Sequence, residues 1–313
     1  MKMKKLTGIL MAGMMVVSMA GCGAVSVDGE TKTDTPATSE ESGSAGGSGA
    51  IGLAVSTLNN PFFVTLSEGA EAAAKDLDVE LIVVDAGDDA AKQTNDIEDL
   101  VSRNISVLIV NPVDSDAVAP AVKDAVAKGI KVVSVDRVVN GVEVDCAIAS
   151  DNVAGAAAAT EYLVSLVGDG AKVAELQGVS GASATIDRGE GFHSVADEKL
   201  DVVSSQTANF NRSEGMTVME NMLQANPDIQ GVFAHNDEMA LGAVEAVAGK
   251  EIVVVGFDAT DDALTAVSAG RMAATVAQKP DLMGATAVET AVKLIAGETV
   301  EKEIPGEVEL VTQ

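Results

Sequence analysis

Ten short apolar runs, each followed by a stretch with apolar residues at helical spacing, govern what this 313-residue chain can become. The runs fall at 51–55, 81–84, 107–110, 132–135, 146–149, 173–176, 202–205, 231–234, 252–256 and 274–277. Many are near-continuous in Val, Ile and Leu, the mark of strands covered on both faces, as in parallel sheets flanked by helices above and below. Between two of them Val118, Ala121, Val122, Ala125 and Val126 recur at i, i+3, i+4, i+7 and i+8, which predicts one buried helix face. Ten such units exceed one comfortable sheet, and no internal repeat points to a solenoid. The expected fold class is α/β, with two doubly wound parallel-sheet lobes.

Composition narrows the function. Hydrophobic residues make up 47% of the chain, enough for sizeable cores, while a net charge of −28 repels phosphate backbones and anionic lipid heads and excludes nucleic-acid binding. Two Cys and two His leave no room for a zinc cluster, a haem pair or a disulfide framework, so neither metal nor cofactor is expected. Residues 1–21 carry Lys2, Lys4 and Lys5 ahead of an apolar run and read as an export signal. The ending Met19-Ala-Gly-Cys22 resembles the lipobox of bacterial lipoproteins, which implies that Cys22 is acylated and anchors the protein to the outer face of the cell membrane. Residues 22–49, rich in Ser, Thr, Gly and acids, read as a flexible tether. Its glycines are no phosphate loop, because no strand precedes them and no Gly-Lys-Ser/Thr follows. No other stretch is long and apolar enough to cross a bilayer. Cys146, alone in an apolar run, is expected to be a buried inert thiol.

In open parallel sheets ligands bind beyond the carboxyl ends of the strands. The residues found there are polar and specific. Ser56-Thr-Leu-Asn-Asn-Pro-Phe-Phe63 follows the first run and places Asn60, Phe62 and Phe63 at a strand end and helix start. Asn111 follows the third run, Asp136 and Arg137 the fourth, Asn236 the eighth, Asp258 the ninth and Gln278 the tenth. Arg188 and Phe210 join by position. Each has a purely structural reading as well: Asn111 and Asp258 are turn formers, Asn236 suits a helix cap, and Phe62 and Phe63 suit a core. Jointly they point to a site, since three of only six phenylalanines gather at the predicted cleft.

Amides, carboxylates and guanidinia present donors and acceptors in fixed geometry, which suits a ligand crowded with hydroxyls, and aromatic faces suit its C–H surfaces. That pairing describes a sugar. A buried hydroxyl left unpaired costs about 1–3 kcal/mol, so such a site rejects epimers strongly. Catalysis has little behind it: His193 and His235 have no Ser or Cys in a nucleophile motif, and Gly-x-Ser-x-Gly, HExxH and EF-hand patterns are absent. Asp136 and Asp258 could be a glycosidase pair, but Arg137 beside Asp136 favours its ionised form over a general acid. The expectation is a binding protein and no enzyme.

The residues match a known family at this point. Ser56-Thr-Leu-Asn-Asn-Pro-Phe-Phe63, Asn111-Pro-Val-Asp-Ser-Asp-Ala117, Val135-Asp-Arg137, Ala149-Ser-Asp-Asn152, Glu175-Leu-Gln-Gly178, Arg188-Gly-Glu-Gly-Phe192, Asn236-Asp-Glu-Met-Ala-Leu-Gly242 and Val255-Gly-Phe-Asp258 resemble the ribose-binding branch of the sugar-binding periplasmic-binding-protein superfamily, from about residue 50 to the end. The resemblance implies that Phe62, Phe63 and Phe210 sandwich the sugar ring. It likewise assigns the hydroxyls to Asn60, Asn111, Asp136, Arg137, Arg188, Asn236, Asp258 and Gln278. It implies one lobe of residues 50–150 and 279–307, another of 151–278 and 308–313, and a three-segment hinge containing Gln278. It further implies a monomer that delivers D-ribose, or a sister sugar such as allose, xylose or galactose, to the permease of an ABC importer. A sugar-sensing receptor for a membrane signalling partner is the alternative. Three positions depart from the expected pattern: His235 stands for Gln, Asn211 for Asp and Ala259 for Gly. A sugar-responsive transcription regulator shares the two-lobe core but needs a basic helix-turn-helix ahead of the first strand, where this chain has an acidic stretch.

Overall fold

The computed structural model describes residues 49–313. The expected export signal, Cys22 and all but the last residue of the expected tether lie outside the described residues. Gly49, that last residue, already touches the folded body through its N–H, which donates to Ser106 Oγ at 3.1 Å.

Two six-stranded sheets organise the described chain. The first half lays down β1 (Ile51–Val55), α1 (Pro61–Asp76), β2 (Leu81–Asp85), α2 (Ala90–Ser102), β3 (Val107–Val110), α3 (Ala119–Ala127), β4 (Lys131–Val135) and β5 (Cys146–Ser150). The second half adds α4 (Asn152–Val167), β6 (Lys172–Gln177), α5 (Ser183–Lys199), β7 (Asp201–Thr207), α6 (Arg212–Ala225), β8 (Gly231–Ala234), α7 (Asp237–Ala246), β9 (Val253–Val255), α8 (Asp261–Ser268) and β10 (Ala274–Ala277). The chain ends with α9 (Pro280–Ile295), β11 (Glu303–Gly306) and β12 (Glu309–Thr312). The first sheet runs β11-β5-β4-β3-β1-β2 and the second β12-β10-β9-β8-β6-β7.

Burial explains the unbroken apolar runs. In β3, Val107 and Ile109 belong to a core shared with α1 and α9. Leu108 and Val110 point the other way, into a core shared with α2 and α3. A strand with period-two side chains and helices on both faces has no polar face to offer, so every position is apolar. The second sheet repeats the plan, with α6, α7 and α8 over one face and α4 and α5 over the other.

Three details differ from the sequence reading. Strands β11 and β12 are not among the ten runs; they are edge strands carrying Glu303, Pro305 and Glu309, a composition that periodicity does not flag. The second sheet is not wholly parallel, because β12 pairs antiparallel with β10, Ala274 opposite Thr312. Val126 is 41% exposed although Val118, Ala121, Val122 and Ala125 are buried. At about 100° per residue, position i+8 sits roughly 80° round from Val118, at the margin of the buried stripe.

The chain passes between the sheets three times, from β5 to α4, from β10 to α9 and from β11 to β12. The crossings lie side by side: Asp151 N–H donates to Gly306 O at 3.4 Å, and Lys279 pairs with Glu307 at 3.1 Å. In each sheet the strand order reverses beside the first strand of its half, β1 lying between β2 and β3, and β6 between β7 and β8. Such switch points leave a crevice at the strands' carboxyl ends. Among the described residues no helix is long and apolar enough to cross a membrane.

Candidate functional site

The two crevices face one another, and their loops converge on one small cavity. Asn60, Phe62, Phe63, Asp136 and Arg137 line it from the first sheet, and Ala184, Arg188, Phe210, Asn236 and Asp258 from the second. It offers about 10 Å³ to the centre of a water-sized sphere. A wider hollow of about 110 Å³ adjoins it at the rim and shares Asn60, Phe63, Arg137 and Phe210. Larger hollows elsewhere, about 440 Å³ beside Lys250 and Arg271 and about 710 Å³ around the crossings, are open surfaces with exposed charged residues. Only the interlobe cavity among these gathers several buried charges.

Helix starts position the amides. Asn60 caps α1, its Oδ1 accepting from Phe62 N–H at 3.0 Å, with Pro61 following at the first helical position. Asn236 caps α7 through Oδ1 from Met239 N–H at 3.0 Å, and its Nδ2 reaches Phe210 O at 3.5 Å. The capping role and the cavity role coexist, since capping engages the oxygen and turns the amide nitrogen elsewhere. Phe62 and Phe63 pack edge to face at 5.1 Å. Phe210 lies against Gly178, where any Cβ would overlap its ring. The backbone is bent to serve the site: φ is 65° at Asp136, 58° at Phe210 and 127° at Asp258. Left-handed conformations at non-glycine residues cost energy and concentrate where surrounding structure holds them for a purpose.

The charges are buried and balanced. Arg137 lies between aromatic faces, 5.1 Å from Phe63 and 5.2 Å from Phe210. Its Nη1 donates to Pro112 O at 2.8 Å, and its Nε, 3.5 Å from Asp136, makes no hydrogen bond. Arg188 is stacked 3.8 Å from Phe257, donates from Nε to Asn152 Oδ1 at 2.8 Å and from Nη1 to His235 O at 2.5 Å. It also stands 3.6 Å from Asp258. Burial pushes the Asp136 carboxyl up, with Arg137, Arg188 and Asn111 opposing. Burial raises Asp258 further, reinforced by the neighbouring Asp237 and Asp136 and opposed by Arg188. Two carboxyl groups facing two guanidinia set acceptors beside donors, which suits an uncharged ligand rich in hydroxyls.

Two residues named from the sequence do not line the cavity. Asn111 stands behind Asp136: its Oδ1 accepts from Ser56 N–H at 3.1 Å, and its Nδ2 donates to Val135 O at 3.2 Å and Asp136 Oδ2 at 3.0 Å. It clamps three strand ends together. Gln278, at the second crossing, donates from Nε2 to Asp258 Oδ1 at 2.8 Å. Sequence reasoning missed Ala184 and Asn152. A lone alanine carries no chemical signal, and Asn152, one residue past the first crossing, acts only through Arg188.

The three departures have physical accounts. Asn211 caps α6 by accepting from Glu214 N–H at 3.0 Å, a role Asp would fill equally. Ala259 sits at φ 54°, where glycine is freer. His235 is fully buried beneath the site, with Nε2 at 2.8 Å from Glu175 Oε1 and Nδ1 without a hydrogen bond. Burial pushes its pKa below the ordinary range, with the Glu175 carboxylate opposing. Cys146 is free and buried. Among the described residues no cluster of His, Cys, Asp and Glu could hold a metal ion.

Known proteins resemble this chain in sequence and in fold. A family model described as periplasmic binding protein domain matches residues 51–299. The chain is 52% identical over 265 residues to the ribose import binding protein of Bacillus subtilis, covering 84% of this chain and 87% of that one. It is 49% identical over 267 residues to the ribose import binding protein of Escherichia coli, covering 84% and 90%. A crystal structure of an ABC transporter solute-binding protein from Bacillus halodurans with bound myo-inositol superposes with a TM-score of 0.81 at 35% identity, covering 85% of this chain and 95% of that one. By family match, sequence and fold alike, the chain belongs to the periplasmic binding protein family.

Proposed function

We propose that the protein binds D-ribose between its lobes and delivers it to an ABC importer, acting as a receptor and not as an enzyme. One observation carries this reading: Asp136, Arg137, Arg188 and Asp258, all buried, converge from both sheets beside Phe62, Phe63 and Phe210. The likeness to two ribose import binding proteins supports the choice of pentose. The lobes are residues 50–150 with 279–307 and residues 151–278 with 308–313, and the three adjacent crossings serve as the hinge. Closure about the sugar replaces its hydration shell with protein partners, and a permease reads the closed pair of lobes. The protein works as a monomer on the extracytoplasmic face, held by an acylated Cys22.

Calorimetry against ribose, allose, xylose, arabinose, galactose and glucose tests the assignment. Ribose is expected to bind most tightly of the six. Tight binding of a hexose with none of ribose would move the protein to a sister specificity. For the anchor, Cys22→Ser is expected to shift the protein from the membrane fraction to the medium; an unchanged distribution would remove the lipid from the account.

A further inference from the structure

The lobes also meet outside the cavity. Ser115, in the loop after β3, donates its backbone N–H to Gly181 O, in the loop after β6, at 2.9 Å. Its hydroxyl accepts from Ser183 N–H at 3.3 Å. The Ser183 hydroxyl in turn accepts from Val138 N–H at 3.1 Å. Both serines are buried. The seam is wired to the site on each side: Val138 follows Arg137 in the chain, and Ser183 opens the helix that carries Ala184 and Arg188. Fit is tight as well, because a Cβ on Gly181 would collide with the Asp114 carboxylate. That carboxylate cannot simply swing away, since its Oδ1 accepts from Asp116 and Ala117 N–H at 2.9 and 2.8 Å.

We infer that Ser115, Gly181 and Ser183 form a latch that determines sugar affinity without touching the sugar. This rests on the reading that a sugar is held between the lobes. All three hydrogen bonds join one lobe to the other, so they require the closed separation and are replaced by bonds to water when the cleft opens. Their net free energy adds to binding, and their rupture accompanies release. A ligand too large to let the lobes come this close forgoes all three, so the latch also acts as a gauge of ligand size.

The test is calorimetry and stopped-flow release with the six-sugar panel on the wild type, Ser183→Ala, Gly181→Ala, and Gly181→Ala combined with Asp114→Ser. The serine keeps an oxygen for the Asp116 and Ala117 amides while clearing space for the new methyl. Ser183→Ala is expected to raise the ribose Kd about fivefold, the scale of one net hydrogen bond, mainly through faster release. Gly181→Ala is expected to raise it about tenfold or more, and the added Asp114→Ser to recover most of that loss. Melting of the sugar-free variants should match the wild type, because the open form lacks the latch. Wild-type Kd in both single variants would overturn the inference, as would affinity losses matched by equal losses of stability without sugar. A wild type that holds a different sugar of the panel counts against the ribose assignment alone, and the same variants then decide the latch with that sugar.

Discussion

Replacing Asp258 separates what its charge does from what its backbone does. The residue sits at φ 127°, accepts from Gln278 Nε2 at 2.8 Å and faces Arg188 at 3.6 Å. At an effective dielectric of about 20, an ionised pair at that distance attracts by roughly 4–5 kcal/mol, and this pull from Arg188 opposes the upward push that burial gives the Asp258 carboxyl. A sugar hydroxyl donating to the carboxylate makes a charge-assisted bond worth about 1.5–3 kcal/mol net. Asp258→Ala removes that acceptor and leaves Arg188 without its nearest counter-charge, so ribose binding is expected to weaken by about 2 kcal/mol or more, roughly thirtyfold. Asp258→Asn keeps an acceptor and a residue type that tolerates positive φ, so it should lose less, about 1 kcal/mol. Calorimetry at pH 7 with a thermal melt of each sugar-free variant supplies both quantities. Ribose affinity within twofold of wild type in Asp258→Ala would refute the assignment of this carboxylate to the ligand.

Arg137→Ala should likewise cost about 2 kcal/mol or more of ribose binding, from the unpaired Asp136 and the lost stacking on Phe63 and Phe210; unaltered titration curves would place the ligand elsewhere. Burial raises Asp237 to about 7 in the folded protein. The native state therefore holds a proton that the unfolded chain releases near pH 4, and this residue's contribution to stability falls as pH rises from about 4 to 7 and is level above. Denaturant titrations from pH 5 to 8 should show the loss in wild type and a smaller one in Asp237→Asn, whose amide can still serve Thr260 N–H and the Thr275 hydroxyl; identical slopes would show that another group is responsible. Ala259→Gly relieves a φ of 54° and is expected to raise the melting temperature by about 2 °C, the shift of roughly 1 kcal/mol in a chain of this size; a lower melting temperature would mean that glycine's extra freedom when unfolded outweighs the strain.

Much of the architecture was legible because burial on two faces leaves an unmistakable trace. Strands such as β1 and β3 have no solvent side, so their apolar runs are unbroken and their carboxyl ends can be located to the residue. The residues lining the candidate cavity were legible for a related reason: Asp136, Arg137 and Asp258 are charges placed after apolar runs, where solvation alone does not call for them. What escaped depends on relations across the fold. Strands β11 and β12 take their structure from the edges they complete, since Glu303-Ile-Pro-Gly306 and Glu309-Leu-Val-Thr312 are too short and too mixed to read as apolar runs. Asn111 and Gln278 read as ligand groups by type and position; what the sequence does not show is that their amide nitrogens bond Asp136 and Asp258. Ala184, Asn152 and Ser183 matter through what they abut, and nothing in a linear string brings Ser183 to Ser115 and Val138.

The central claim is that a sugar lies between the two sheets with its hydroxyls on Asp136, Arg137, Arg188 and Asp258. A crystal structure grown with D-ribose tests it most directly. One pentose is expected to be enclosed between the lobes, its ring sandwiched by Phe62, Phe63 and Phe210 and its hydroxyls within hydrogen-bond distance of those four side chains. A crevice without sugar, or ribose bound at any other surface, would contradict it.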